Sequence, residues 1–365
     1  MRRFSLALCT FLLAVAPATR DDFALNLFRT LRSKKGNVVM APSNVAVALT
    51  LVRRGAGGAT ARELDQAVRS APARDPNVVD VSALWVDGRV HVMPWFATAA
   101  RDAGGSVRLL SFADPGAARG RMNAWVREVT GGRIDQLIGP GVLTPGSRMV
   151  VTAATHMKAT WRSQFDPGDT RSRPFHIAPG RDVRVPTMSQ ILEARYAAVG
   201  RVQLLELRYD ADGLSMLIVL PNYPDALPAV EASLTPAQFA RWTAALKPRG
   251  NLDLRLPRFH TTTDLDLRST LDALGVHRLF DHHGAELPGI QSAAPLYVTE
   301  MLQRIRIDVD EEGTEASAAE AGSFGTTGTE IPPPPQPFYV DHPFLYVIRS
   351  GECILFLGRV TDPRG

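Results

Sequence analysis

The chain has 365 residues, 45% of them hydrophobic and 21% charged, a globular proportion that excludes wholesale disorder and collagen-like repetition. Lys and Arg together number 41 against 37 Asp and Glu, so no basic face built for nucleic acid is expected. Two cysteines in this length exclude a disulfide-stapled scaffold.

Arg2 and Arg3 precede an apolar run from Phe4 to Val15 and the small residues Ala16-Pro17-Ala18. This is the pattern of a secretory leader, too short to span a bilayer. It predicts removal of residues 1–18, Cys9 among them, and a single domain over 19–365. Cys353 then stays alone, a small buried residue in an apolar strand. No later apolar run is long enough to anchor the chain, so a secreted, extracellular monomer without membrane attachment is expected. No Asn-X-Ser/Thr sequon occurs.

Along the chain, Phe23, Leu27, Phe28 and Leu31 share one helical face in 22–35, stopped by Gly36. A short strand covers Asn37 to Met40, and a helix Ser43 to Arg53, broken by Gly57-Gly58. Thr60-Ala61-Arg62-Glu63 reads as a capping box opening the next helix. Residues 117–130 form another, ended by Gly131-Gly132. From Met149 the period shortens to two: strands are predicted at Met149–Ala154, and at Leu204–Tyr209 and Leu214–Leu220 around the turn Asp210-Ala211-Asp212-Gly213. Leu252, Leu254 and Leu256 alternate with polar residues. Thr263 to Leu274 reads as a capped helix ending at Gly275. Ile305, Ile307 and Val309 mark a strand, and Phe344–Ile348 and Ile354–Leu357 close the chain. Helices first and mainly antiparallel strands later make an α+β pattern without a linker or internal repeat.

Residues 311–337 break the pattern. They are small, polar and end in prolines, with nothing to pack a core, yet they lie between two strands. A connection of this length in a compact domain is functional or disordered. Pro332–Pro335 and Pro337 predict a stiff polyproline stretch, read as a spacer.

Searches for catalytic chemistry return no His-Glu-x-x-His, no Cys-x-x-Cys, no phosphate-binding loop and no Gly-x-Ser-x-Gly elbow. Asp281-His282-His283 is too few ligands for a metal site and reads as a solvated loop. No cofactor is expected. The combination suggests a binding or inhibitory role rather than an enzyme.

Phe338-Tyr339-Val340-Asp341-His342-Pro343-Phe344-Leu345-Tyr346-Val347-Ile348 resembles the serpin signature, and Phe356-Leu357-Gly358-Arg359-Val360 with Pro363 the usual serpin ending. Glu311-Glu312-Gly313-Thr314-Glu315-Ala316-Ser317-Ala318-Ala319 resembles the hinge of inhibitory serpins. Asn37-Val38-Val39 with Pro42, Gly57-Gly58 with Thr60, and Trp161, Phe165 and Pro167 match further family positions, so the resemblance spans residues 21–363. Leu296-Tyr297-Val298 with Leu302-Gln303 is similar to the plasminogen activator inhibitor branch and to secreted poxvirus serpins; His156-Met157-Lys158-Ala159-Thr160-Trp161 leans to the latter.

The resemblance implies three β-sheets, eight or nine helices and an exposed reactive-centre loop, about 311–337. It also implies a suicide mechanism: a serine protease cleaves the loop, and the acyl-enzyme is trapped as the loop enters the central sheet. An immune or inflammatory role is compatible with it. Gly313 supplies backbone freedom, and Thr314, Ala316 and Ala318, alternate residues facing inward on insertion, are small. Glu320 is the costly one, since an unpaired carboxylate resists burial; Glu320→Thr is expected to raise the yield of covalent complex. Family spacing from Glu311 places the scissile bond at Thr327-Gly328, with Thr326, Thr329 and Glu330 as alternatives. Residues 311–348 contain no Lys or Arg, so a small-pocket, elastase-like protease fits better than a trypsin-like one. Under the central sheet, Ala41, Asn44 and Ala153 replace the family's Ser, Ser and Asn, leaving Asn44 and Gln303 to compensate. The alternative is a non-inhibitory serpin, acting as a binding protein or decoy substrate.

Overall fold

In this computed structural model the described residues are 20–68, 75–291, 295–314 and 334–365. Eight α-helices occur among them: α1 (Arg20–Thr30), α2 (Pro42–Gly55), α3 (Gly58–Ala67), α4 (Pro94–Asp102), α5 (Pro115–Val129), α6 (Leu227–Ser233), α7 (Pro236–Ala245) and α8 (Leu267–Asp272).

Two helix starts follow from prolines at the first turn and an acidic or hydroxyl cap before them: the Asp114 side chain accepts from the Ala117 amide, and Thr235 Oγ1 from the Gln238 amide. The capping box expected at Thr60 and Glu63 is not formed. The helix already starts at Gly58, so Thr60 lies inside it. A carboxylate distant in sequence takes over, Glu286 Oε2 accepting from the Ala59 amide at 2.5 Å, while Thr60 Oγ1 accepts from the Glu286 amide at 3.0 Å. Glu63 instead accepts from the amides of His277 and Arg278.

Seven strands form one sheet in the order β3 (Ser106–Leu110), β2 (Val78–Asp87), β4 (Met149–Met157), β12 (Glu300–Val309), β13 (Gly313–Thr314), β5 (Ala159–Thr160), with β11 (Phe259–Asp266) also on β12. Strand β11 corrects the helix expected from Thr263. Phe259, Thr261, Thr263 and Leu265 are buried in strict alternation with exposed residues, a period of two favoured by β-branched threonines. Only α8 remains of that helix, capped by Asp266.

Nine strands form the other sheet: β1 (Val38–Met40), β16 (Cys353–Val360), β15 (Phe344–Ser350), β9 (Leu214–Pro221), β8 (Val202–Arg208), β7 (Arg181–Val199), β10 (Lys247–Pro257) and β14 (Gln336–Tyr339), with β6 (Arg171–Ala178) also on β7. At 19 residues, β7 reaches from β6 at one end to β8 at the other. Two of the three expected sheets are thereby joined into one hydrogen-bonded assembly.

A large apolar core, from Ala24 in α1 to Val360 in β16, is buried with strands of both sheets around it. The opposite face of the seven-stranded sheet is covered by α5, whose Met122, Trp125 and Val126 pack with Val150 and Ala154 of β4. Strand β4 is therefore buried along its whole length, which explains its run of apolar and small residues, interrupted only by His156.

Candidate functional site

The segment that marks the site begins where β12 ends. Asp310 builds the turn: its Oδ1 accepts from the amides of Glu312 (3.0 Å) and Gly313 (3.2 Å), and its own amide donates to the Gly313 carbonyl at 3.0 Å. The chain then reverses into β13, which pairs antiparallel with β12 through Thr314 and Val309 and with β5 through Thr314 and Ala159. Below this point β4 and β12 pair directly and in parallel, from Glu300 opposite Val150 to Arg306 opposite His156. Gly313 and Thr314 thus occupy the upper end of a seam between two parallel strands.

This corrects the expectation that nothing from 311 onward packs into the core. Glu311, Gly313 and Thr314 are buried. Gly313 has φ +152°, and a Cβ there would stand 2.1 Å from the Ala159 carbonyl oxygen and 2.7 Å from Thr160 Cα. No other residue fits so close to a neighbouring backbone. Thr314 Oγ1 shares a 2.8 Å hydrogen bond with the Tyr209 hydroxyl, whose complete burial raises its pKa.

Trp161 and Phe165, both singled out in the sequence, meet the Asp310–Glu312 turn directly. The Trp161 amide donates to the Glu312 carbonyl at 2.8 Å, its indole Nε1 to the Asp310 carbonyl at 2.9 Å, and the Phe165 amide to the Glu311 carbonyl at 3.0 Å. Trp161 stacks on Tyr209 with ring centroids 4.3 Å apart and planes 14° from parallel. Burial pushes the Glu311 carboxyl up, but Arg258 (Nε at 2.8 Å) and the Thr170 hydroxyl outweigh it and hold the group below its ordinary value. Glu311 is therefore a fixed anion locking the turn. Tyr209, Asp310, Arg258 and Thr170 escaped the sequence reading; Arg258, between strands β10 and β11, carries no local signal of its partner.

Lower in the seam, Asn44 and Gln303 come together. Gln303 Nε2 donates to the Ala41 carbonyl at 3.0 Å and to Asn44 Oδ1 at 3.3 Å, and Asn44 Nδ2 to Ser82 Oγ at 3.3 Å. Gln303 and Asn44 are fully buried, and Gln303 Oε1 has no hydrogen-bond partner among the described residues. In the strand register Ala153 stands between Gln303 and Ser82. Ser82, supplied by β2, was not foreseen.

Ala316, Ala318, Glu320, Thr327 and Gly328 lie outside the described residues, as does the leader. The chain is described again from Pro334. Pro337, expected in a polyproline spacer, belongs to β14, which pairs in parallel with β10 and places Pro337 opposite Asp253. Residues 315–333 therefore connect one sheet to the other.

This architecture is that of a known family. A family model described as Serpin (serine protease inhibitor) matches residues 18–363, and the chain belongs to that family. It is 30% identical over 375 residues to Serpin A3-6 of Bos taurus, covering 95% of this chain and 88% of the relative. To the leukocyte elastase inhibitor of Sus scrofa it is 30% identical over 383 residues, covering 95% and 99%. Among solved structures, Serpin48 of the insect Tenebrio molitor superposes with a TM-score of 0.84 at 29% identity, covering 94% and 96%. The fold is the serpin fold. No helix of the described residues is long and apolar enough to cross a membrane.

Proposed function

We propose that the chain is a secreted inhibitor of serine proteases that works by acyl-enzyme trapping and loop insertion. Residues 1–18 act as its leader and 19–365 as one unit. The observation that carries this reading is Gly313-Thr314, already seated antiparallel between β5 and β12 at the top of the parallel β4–β12 seam. A protease serine attacks the Thr327 carbonyl, forming an ester, and the Gly328 amine leaves. The freed strand then continues the register of β13 downward. One parallel ladder between β4 and β12 is exchanged for two antiparallel ladders, each net hydrogen bond contributing about 1 kcal/mol. That gain drives displacement of the attached protease.

Glu311, Gly313, Thr314, Ala316 and Ala318 form the hinge in this reading, with Glu311 as its fixed anchor and the residues after Thr314 as the part that moves. Trp161 holds it at the top, and Asn44 with Gln303 closes the seam below. The absence of Lys and Arg from 311–348 and the likeness to a leukocyte elastase inhibitor favour an elastase-like target. The decisive experiment is thermal melting before and after cleavage of the loop. A rise of tens of degrees supports insertion; an unchanged midpoint leaves a binding protein or decoy substrate. A protease panel scored for SDS-stable complexes, with mass spectrometry of the released fragment, then tests the Thr327-Gly328 bond and the extracellular target.

A further inference from the structure

Beside the hinge, but outside the seam, lies a cavity of about 570 Å³ between the Trp161–Phe165 segment and strands β7, β8 and β10. This is the size of a small-molecule site. Trp161, Phe165, Leu192, Leu207 and Pro248 make its apolar wall. Its charges are unequal. Arg195 and Arg349 both bind Glu206, Arg195 Nη1 at 2.8 Å and Arg349 Nε at 3.1 Å, with Ser215 Oγ at 3.0 Å. These partners outweigh the burial that pushes Glu206 up and keep it ionised, so the group is a fixed cluster with one surplus positive charge. Arg162 and Arg208 also line the cavity. They are exposed, and their chains are joined by the Arg162 amide donating to the Arg208 carbonyl at 2.9 Å. No described carboxylate pairs with either guanidinium, and the exposed Glu193 is the one further acid among the described residues of the lining.

We propose that this cavity is a binding site for a small amphipathic anion, an aromatic or aliphatic body carrying one carboxylate or sulfonate. The body lies on the Trp161 wall, and the acid group lies between the Arg162 and Arg208 guanidinium groups, whose planar donors suit such anions. The same Trp161 holds the Asp310 carbonyl through its indole and the Glu312 carbonyl through its amide. Occupancy therefore stiffens the support of the hinge. The site rests on this geometry alone and stands whether or not the loop inserts.

The full chain is titrated with 8-anilinonaphthalene-1-sulfonate and with its uncharged counterpart N-phenyl-1-naphthylamine, by calorimetry. One equivalent of sulfonate is expected to bind, at least tenfold tighter than the neutral probe. Arg162→Glu with Arg208→Glu, two exposed positions, is expected to weaken it tenfold or more, and Ala194→Trp, which fills the cavity, to abolish it. Equal affinity for the two probes, or arginine variants that bind as before, overturns the site. Hydrogen exchange at the Glu312 and Gly313 amides is expected to slow severalfold with the sulfonate bound. Unchanged exchange at those amides, with binding intact, overturns the link to the hinge.

Discussion

Glu320 offers the most direct test of the insertion register. Thr314 stands opposite Val309 on β12 and Ala159 on β5. An antiparallel strand that keeps this pairing brings Ala316 to Ile307, Ala318 to Ile305 and Glu320 to a place between Gln303 and Ala153. Ile305, Ile307 and Gln303 face the main core, so the Glu320 side chain enters it too. The groups waiting there are uncharged: Gln303 Nε2 is committed to Ala41 and Asn44, Asn44 Nδ2 to Ser82, and Gln303 Oε1, an acceptor, has no partner among the described residues. An ionised carboxylate placed against a free acceptor costs several kcal/mol. A neutral amide of the same shape donates to Gln303 Oε1 and recovers about 1 kcal/mol. Glu320→Gln is thus expected to stabilise the loop-cleaved molecule by about 2–4 kcal/mol, while the intact molecule changes by less than about 0.5 kcal/mol, the usual range for surface substitutions. Denaturant midpoints of cleaved and intact forms measure both, and Glu320→Thr serves as the smaller second variant. The gain is also expected to shrink as pH falls into the carboxyl range, because a protonated Glu320 itself donates to Gln303. Cleaved wild type and cleaved Glu320→Gln with the same midpoint at neutral pH refute the register.

Three further outcomes follow from the packing. Gly313→Ala places a methyl group against the Ala159 carbonyl at a φ of +152°; a cost of about 1–3 kcal/mol is expected, with β13 expelled and the Thr314–Tyr209 hydrogen bond lost, and a crystal structure of the variant with β13 still seated contradicts this. Arg359 Nη1 lies 3.1 Å from Glu231 Oε1 and 3.2 Å from Oε2, both side chains buried. Arg359→Met leaves a carboxyl that burial already pushes up in pKa without its partner, and removes the donor to the Gly36 and Lys34 carbonyls; it is expected to lower stability by about 3–5 kcal/mol, of which adding Glu231→Gln restores only the part due to the buried charge, and a single variant melting like wild type removes the pair from the account. His156 is held neutral by burial, and secondarily by Arg133, with its pKa lowered from 6.5 to about 4. The unfolded chain takes up this proton below pH 6.5 and the folded one does not until about 4. Stability is therefore present above pH 6.5 and falls by about 1.4 kcal/mol per pH unit between the two values. His156→Phe is expected to flatten unfolding midpoints across that window, and an identical acid decline in the variant counts against the assignment.

The sequence carried those features that a local pattern can carry. Alternation in Ile305, Ile307 and Val309 reports a strand with one face in a core, because side-chain direction repeats every two residues. The signature around Asp341 to Phe344 already marks the family, and the small residues and Gly313 after Glu311 mark the segment proposed as its hinge. Trp161 and Phe165 are legible as family positions, and the structure puts their amides on the Glu312 and Glu311 carbonyls. Other features depended on partners far along the chain. Thr263 suits a helix cap as well as a strand, and only pairing of β11 with β12 makes it a strand. Thr60 and Glu63 form a capping box by spacing, yet Glu286 arrives to cap the helix in their place. The ion pair of Glu311 with Arg258 and the meeting of Asn44, Ser82 and Gln303 join residues that share no local period. Above all, tertiary packing decides that Gly313 and Thr314 lie inside the seam, since the space they fill exists only once β5 and β12 have been set one strand's width apart.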